Sequence, residues 1–443
     1  MEWKKYIWLP LCLAVPLLAQ ANPTLEAKIK LLEQQLKALK AEVMKTQAQQ
    51  KKVVAEVKEA KQQTERVVAQ ADEASPMDNF NVNGFFSGSV AKASNDVGYA
   101  GVKEKVDTEQ RSLVGLQMQY NFTDATSITT QIVARAYQNW KPRFEWAFLK
   151  HGFDNGLSLR AGKLRMPLYM YSDYLEVGYA QPWARPPGEV YDAVPLSSYT
   201  GGDFIYDLDL DWGTLTFQGF AGETRVDEED SSFGADFTFD NLLGMNVNLN
   251  WDEMNFRAVY AQTNVTANNP ADGTHNIYAP AYVGYWPSAT YGAAKANQII
   301  ATMDGSQGWF GGIGFSYDDG EYLVISELVR VQVAGMYPDN DGGYLTLGYR
   351  INEFTPYVNA AFMRTNDNGN RASSPVSSAY FDGRRTSYSV GTRWDFMDNL
   401  ALKADITYSG WFGGTNGQLS GLIASETGAT HTMVYSLVLD AAF

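Results

Sequence analysis

The sequence predicts an all-β transmembrane barrel of about 16 antiparallel strands, preceded by an α-helical coiled coil. Three observations carry this expectation. From Phe80 onward, apolar residues recur at every second position in segments about ten residues long. The connections between these segments are alternately short and long. The final stretch, HTMVYSLVLDAAF, puts Met433, Tyr435, Leu437, Leu439, Ala441 and Phe443 on one face and ends on an aromatic, where most chains fray.

The chain begins with MEWKKYIWLPLCLAVPLLAQA, in which Lys4 and Lys5 precede an apolar run and Ala19-Gln20-Ala21 supplies small residues for cleavage. Residues 1–21 therefore read as a secretory signal peptide. A lipoprotein leader carrying lipid on Cys12 fits less well, because Leu11 is too large for the residue before such a cysteine. Cys12 is the one cysteine, so cleavage would leave a mature chain that crosses an oxidising compartment without disulfides.

Residues 22–75 carry a heptad pattern. With Leu25 at d, the d positions continue as Leu32, Leu39, Thr46, Val53, Ala60 and Val67, and the a positions are Ile29, Leu36, Val43, Gln50, Val57, Thr64 and Ala71. No proline or glycine interrupts the register, which predicts a left-handed coiled coil roughly 70 Å long. So narrow an apolar stripe needs a partner, though a lone amphipathic helix is the plainer alternative. The seam leaves the number of helices open. Pro76 ends the helix.

Beyond it the period changes to two. Phe80, Val82, Phe86 and Val90 oppose Asn81, Asn83, Ser87 and Ser89. Leu243, Met245, Val247, Leu249 and Trp251 alternate with Asn246, Asn248 and Asn250. Strands are expected near 79–91, 112–122, 127–137, 143–153, 157–165, 203–211, 214–224, 241–251, 254–264, 308–318, 321–331, 343–351, 355–365, 385–396, 400–409 and 432–443. A soluble sandwich also alternates, but the polar faces here are too rich in Asn, Gln, Ser and charge to fill a sandwich core. Aromatics near strand ends (Tyr120, Trp251, Phe396, Tyr408) fit an interfacial girdle. An edge-free barrel also explains the ending, because the last strand would pair with the first.

Overall composition agrees. The chain is 45% hydrophobic and 13% aromatic, yet after its start it has no apolar run long enough for a membrane helix. Its net charge of -15 argues against a nucleic-acid partner. The segment before residue 76 is slightly basic, so the acidic excess falls on residues 76–443.

The leader, the strand pattern, the terminal LVLDAAF and the stretch LSLRAGKLRMPLYMYSDYLEVGYAQPWARPPGEVY (Leu157 to Tyr191) together resemble Gram-negative outer-membrane porins of the 16-strand trimeric type. The coiled coil departs from the plainest of these and is similar to a subset with a periplasmic helical extension, leaving the subfamily open. The resemblance implies a homotrimer in the outer membrane, in contact with lipid and lipopolysaccharide, with the coiled coil in the periplasm. It also implies that Phe443 takes part in recognition by the barrel assembly machinery, and that the segment near 166–202 folds inward and narrows the pore. The plainer alternative packs that segment outside, against a neighbouring subunit.

The constriction candidates on this segment are Asp173, Glu176, Arg185, Glu189 and Asp192. The pore-lining candidates on the polar strand faces are Arg135, Glu145, Arg160, Asp207, Asp209, Arg257, Arg350, Arg393, Lys403 and Asp405. An arginine facing lipid at mid-membrane costs about 2–4 kcal/mol, which assigns these charges inward. An acidic loop opposite a basic wall would set up a transverse field; the alternative is wall salt bridges without a part in selection. Lys163 and Arg165 are expected at the pore mouth.

His151, His275 and His431 are scattered, so neither a metal site nor a cofactor is expected, and no nucleophile-elbow or phosphate-loop motif argues for an enzyme. The acidic runs Val226–Asp230 and Asp339–Asp341 read as solvated loops before calcium sites. The expected function is passive diffusion of small hydrophilic solutes and ions. The alternatives are a substrate-selective channel, anion-selective if the arginines form a ladder, and a structural tether whose coiled coil touches peptidoglycan.

Overall fold

The structure is a computed structural model that describes residues 79–194, 196–226, 236–268, 305–334, 339–366, 383–412 and 429–443. The expected signal peptide and coiled coil lie outside the described residues, as does most of the Val226–Asp230 run.

Sixteen strands form one closed antiparallel barrel. They are β1 Phe80–Ala93, β2 Leu113–Asn121, β3 Thr126–Arg135, β4 Pro142–Gly152, β5 Leu157–Arg165, β6 Ser198–Leu210, β7 Gly213–Val226 and β8 Asp236–Trp251. They continue as β9 Met254–Asn268, β10 Ser306–Asp318, β11 Tyr322–Val333, β12 Asn340–Tyr349, β13 Phe354–Thr365, β14 Arg384–Met397, β15 Leu400–Gly410 and β16 His431–Ala442. Each strand pairs with its sequence neighbours, and β16 closes on β1 from Phe85 opposite Ala442 to Ala93 opposite Val434.

The closure explains the hydrophobic ending. Phe443 and Gly84 exchange backbone bonds, Gly84 N–H to Phe443 O at 2.6 Å and Phe443 N–H to Gly84 O at 2.9 Å. The Phe443 ring lies over Gly84, where a β-carbon would collide with it. Deleting Phe443 removes both bonds and that ring contact at the seam. The expected result is a lower yield of heat-modifiable barrel, read by gel mobility with and without boiling. An unchanged yield at normal and raised expression would refute this role.

Polarity is inverted relative to a soluble protein. Leu116, Ile128, Leu149, Phe204, Leu243, Ile313, Leu345, Val390 and Leu437 point outward and are exposed. Ser87, Thr129, Gln131, Gln218, Asn246, Thr346, Asn359 and Thr407 are buried on the inner face. Such a surface is stable only against hydrocarbon. At the short-turn end an aromatic ring of residues girdles the barrel, including Trp212 packed edge-on against Trp251 (centroids 5.8 Å apart) and Phe354 stacked on Trp394 (5.5 Å).

The strands run further than expected toward the long connections. β6 starts at Ser198 rather than near 203, β8 at Asp236 rather than near 241, and β9 ends at Asn268 rather than near 264. The segment expected over 166–202 is accordingly Met166–Ser197 at most, its last residues having joined β6. The backbone ladder continues there beyond the apolar belt. Outside lipid, neither face of a strand must be apolar, so alternation need not mark it.

Candidate functional site

The segment between β5 and β6 lies inside the barrel. It leaves β5 at Arg165, whose Nε–H donates to Ser172 O at 2.7 Å and folds the first turn back. Short helical turns at Ser172–Tyr174, Gly178–Ala180 and Gly188–Tyr191 then carry it along the interior. Pro167, Pro182, Pro186 and Pro187 restrict its backbone and keep it from joining the sheet.

Polar contacts fix it to the wall all along its length. Near its start, Arg135 bonds both Glu145 (2.8 Å) and Glu176 (2.7 Å), and Arg165 reaches the same two carboxylates at 3.3 and 3.5 Å. Burial alone would raise the Glu176 carboxyl, but Arg135 and then Arg165 pull it down to about 2. This tether therefore stays charged throughout the physiological range and is no pH switch.

A second attachment joins the loop to the closing seam. Lys403 Nζ donates to Gly178 O at 2.6 Å and lies 2.8 Å from Asp440, whose other oxygen accepts from Ser87 Oγ at 2.5 Å. Both charged side chains are fully buried. A β-carbon at Gly178 would meet the Asp440 carboxylate and come within 2.7 Å of Ser87 Oγ, so only glycine allows this approach. Next to it, Arg393 Nη1 donates to Tyr179 O and Gln181 O at 2.6 and 3.0 Å.

Farther along, Trp183 Nε1–H donates to Thr346 Oγ1 (2.9 Å), Ala184 N–H to Tyr357 OH (3.2 Å), and Arg185 Nε–H to Ser436 Oγ (3.1 Å). Glu189 accepts from Arg385 Nε (2.8 Å), Ser387 Oγ (2.6 Å) and Tyr99 OH (3.2 Å). Glu327 of β11 accepts from Met170 N–H (2.8 Å), Tyr191 OH (2.6 Å) and Tyr344 OH (2.8 Å). Between these bonds Tyr169, Trp183 and Tyr191 pack against Phe310, Ile325 and Tyr344 of the wall. Apart from Glu327, the inner side of β11 (Leu323, Ile325, Val329, Val331) is apolar, and this loop covers it.

The other pore-lining candidates also face inward, mostly in pairs. Arg160 bonds Asp203 (Nε to Oδ1, 2.9 Å), and Gln218 donates to the same carboxylate at 2.7 Å. Arg257 donates to Pro167 O and to Asn248 Oδ1. Asp405 accepts from Tyr357 OH at 3.0 Å. Asp207 and Asp209 lie toward the short-turn end, exposed and bonded to Thr216 and Thr214. Arg350 pairs with Asp318, and Arg393 with Asp395 at 2.7 Å. Glu145 arrives inside through a bulge: Gln131 pairs with Trp146 and Ile132 with Phe144, so Glu145 is the extra residue. Simple alternation would have left it on the outward face with Leu149.

Three expectations change. Lys163 is half-buried opposite Thr200 and shares the parity of exposed Leu159 and Ala161, the outward face of β5, so it is not at the inner mouth. Glu176 and Glu189 are ion-paired, so among the loop carboxylates Asp173 and Asp192 are the exposed ones, and the expected transverse field loses two of its charges. Asp341 of the Asp339–Asp341 run bonds Arg330 (2.6 Å) and Arg364 (3.4 Å) rather than standing free in a solvated loop. Asp203, Glu327, Arg385 and Asp440 join the site without being among the candidates read from the sequence. Asp440 and Arg385 did stand on polar parities, which was the available signal.

No protein-family model and no curated protein matches the chain. Solved structures do. OmpF of Salmonella typhi, in complex with daunomycin, matches with TM-score 0.55 at 10% identity over 82% of this chain and 97% of that one. The outer-membrane channel DcaP of Acinetobacter baumannii matches with TM-score 0.51 at 11% identity over 82% and 97%. An anion-selective porin from Comamonas acidovorans matches with TM-score 0.50 at 12% identity over 82% and 99%. The structural neighbours are thus outer-membrane porins, and at these identities the likeness is one of fold.

Proposed function

We propose that the chain is an outer-membrane porin that passes small hydrophilic solutes and ions by passive diffusion, with Met166–Ser197 as its constriction. The observation that carries this reading is the loop itself, held inside a closed barrel whose inner face is polar and whose outer face is apolar. A tether or anchor has no need of such a device. In this reading the short turns face the periplasm, the long connections face the exterior, and lipid and lipopolysaccharide surround the belt. A homotrimer, assembly through the barrel machinery, and a periplasmic coiled coil that reinforces the trimer or touches peptidoglycan belong to the same proposal. They rest on the sequence resemblance.

Selectivity follows from the charge balance. Arg135 and Arg165 share Glu145 and Glu176, and Arg160, Arg350, Arg385 and Arg393 each pair with a carboxylate; Arg257 and Arg185 bond neutral groups, but they do not join the others into a bare ladder. A weak ion preference follows. Purified protein in a planar bilayer should give discrete conductance steps and a reversal potential near zero in a KCl gradient. A large reversal potential would replace this reading with the selective channel, and absence of steps would leave the tether.

A further inference from the structure

We infer that the cavity beneath the loop, at the short-turn end of the barrel, is a binding site for a neutral polyhydroxylated ring, a sugar. The inference deepens the porin reading and rests on it for the route by which the ligand arrives. The cavity measures about 300 Å³ and lies between Tyr171 and Tyr179 of the loop and Asp318, Arg350, Arg393 and Asp395 of the wall. That volume is at the low end for small-molecule sites and suits one ring rather than a chain.

Two features of the lining select the ligand. The first is its charge. Arg350 Nη2 bonds Asp318 Oδ2 at 2.6 Å, and Arg393 Nη2 bonds Asp395 Oδ1 at 2.7 Å, so both arginines are already neutralised. These side chains still face open space: Asp318 is 44% exposed, Arg350 33% and Asp395 33%. An organic anion drawn to a guanidinium there also meets the paired aspartate, and a cation drawn to a carboxylate also meets the paired arginine, so net charge gains little at either pair. A vicinal diol leaves the pair in place. Its O–H donates to the carboxylate while its oxygen accepts from the guanidinium, so one pair reads two adjacent hydroxyls.

The second feature is aromatic. Arg393 lies over the Tyr179 ring, 4.6 Å from its centroid, which fixes the ring's orientation. Tyr171 is held edge-on by Trp183 at 5.3 Å. Two immobilised tyrosines beside two hydroxyl-reading pairs present an apolar wall to the C–H face of a sugar and polar groups to its rim. Fixed lining of this kind needs little reordering on binding.

The test uses the intact protein in a planar bilayer, with glucose, succinate and lysine compared as blockers of the KCl current. Glucose should reduce the current saturably and at lower concentration than either charged solute. R350Q and Y179A, each normalised to its own open conductance and checked for heat-modifiable folding, should weaken the glucose effect by about tenfold, the loss expected for one good contact. Equal block in wild type and both variants, or stronger block by succinate or lysine, overturns the inference. Titration calorimetry of the detergent-solubilised protein with glucose reads the same site without conduction. A channel that conducts but gives neither block nor heat loses the sugar site alone. Absent conductance would instead sink the porin reading, leaving the heat signal to decide the site.

Discussion

A barrel in which residues 168–195 are replaced by a short Gly-Ser turn should conduct several times more current than the intact protein. The wall does not depend on the loop for closure. Arg165 and Ser198 are register partners at the ends of β5 and β6, so a short turn can join them as in any hairpin. All sixteen strands keep their backbone bonds. What is lost is the cluster of Tyr169, Trp183 and Tyr191 that fills the interior against Phe310 and Tyr344. Each large side chain so uncovered costs about 1.5–3 kcal/mol, so the excised barrel should also unfold at lower denaturant. Single-channel recording reads the first effect and gel mobility confirms folding. A folded excised barrel with unchanged conductance would show that the loop does not limit flow.

Asp440→Ala should be among the most destabilising single substitutions in the wall. It leaves the Lys403 ammonium, fully buried, without its anion and removes the acceptor of Ser87. Breaking one half of a buried pair costs about 3–5 kcal/mol. The site joins β1, β15, β16 and the loop at Gly178, so the loss falls on the seam that closes the barrel. Replacing both partners, as K403M with D440L, should recover most of the stability, because no charge is then stranded. Urea unfolding in detergent compares the three proteins. A D440A barrel as stable as the native one would mean that water, rather than Asp440, solvates Lys403.

The strand pattern was legible because each strand has one face in lipid and one toward a polar interior, and a period of two records that contrast directly. Asp236–Asp240 of β8 alternates as well, as Asp-Phe-Thr-Phe-Asp, but a bulge between Asp240 and Leu243 breaks its phase with Leu243–Trp251, and the pattern alone does not join the two. The bulge at Glu145 was invisible, since one extra residue leaves no mark on composition. β11 held a clue of another kind. TyrLeuValIleSerGluLeuVal is apolar on both faces, and its second apolar face is the one the loop covers. The loop's partners could not be read at all. Lys403 and Gly178 stand 225 residues apart, and Arg385 and Glu189 196 apart. Alternation tells which way a side chain points, but not which loop atom waits at its height in the barrel.

In the proposed function, solute flows past the loop inside the barrel, and thiol modification of Ala180 probes that path. Ala180 is exposed, lines the cavity beneath the loop, and would carry the one cysteine other than Cys12. Single channels of A180C should drop to a lower, stable current when an impermeant charged thiol reagent is added, while the unsubstituted protein shows no step. Full modification of A180C by mass with an unchanged current would place the loop outside the conducting path and contradict the account.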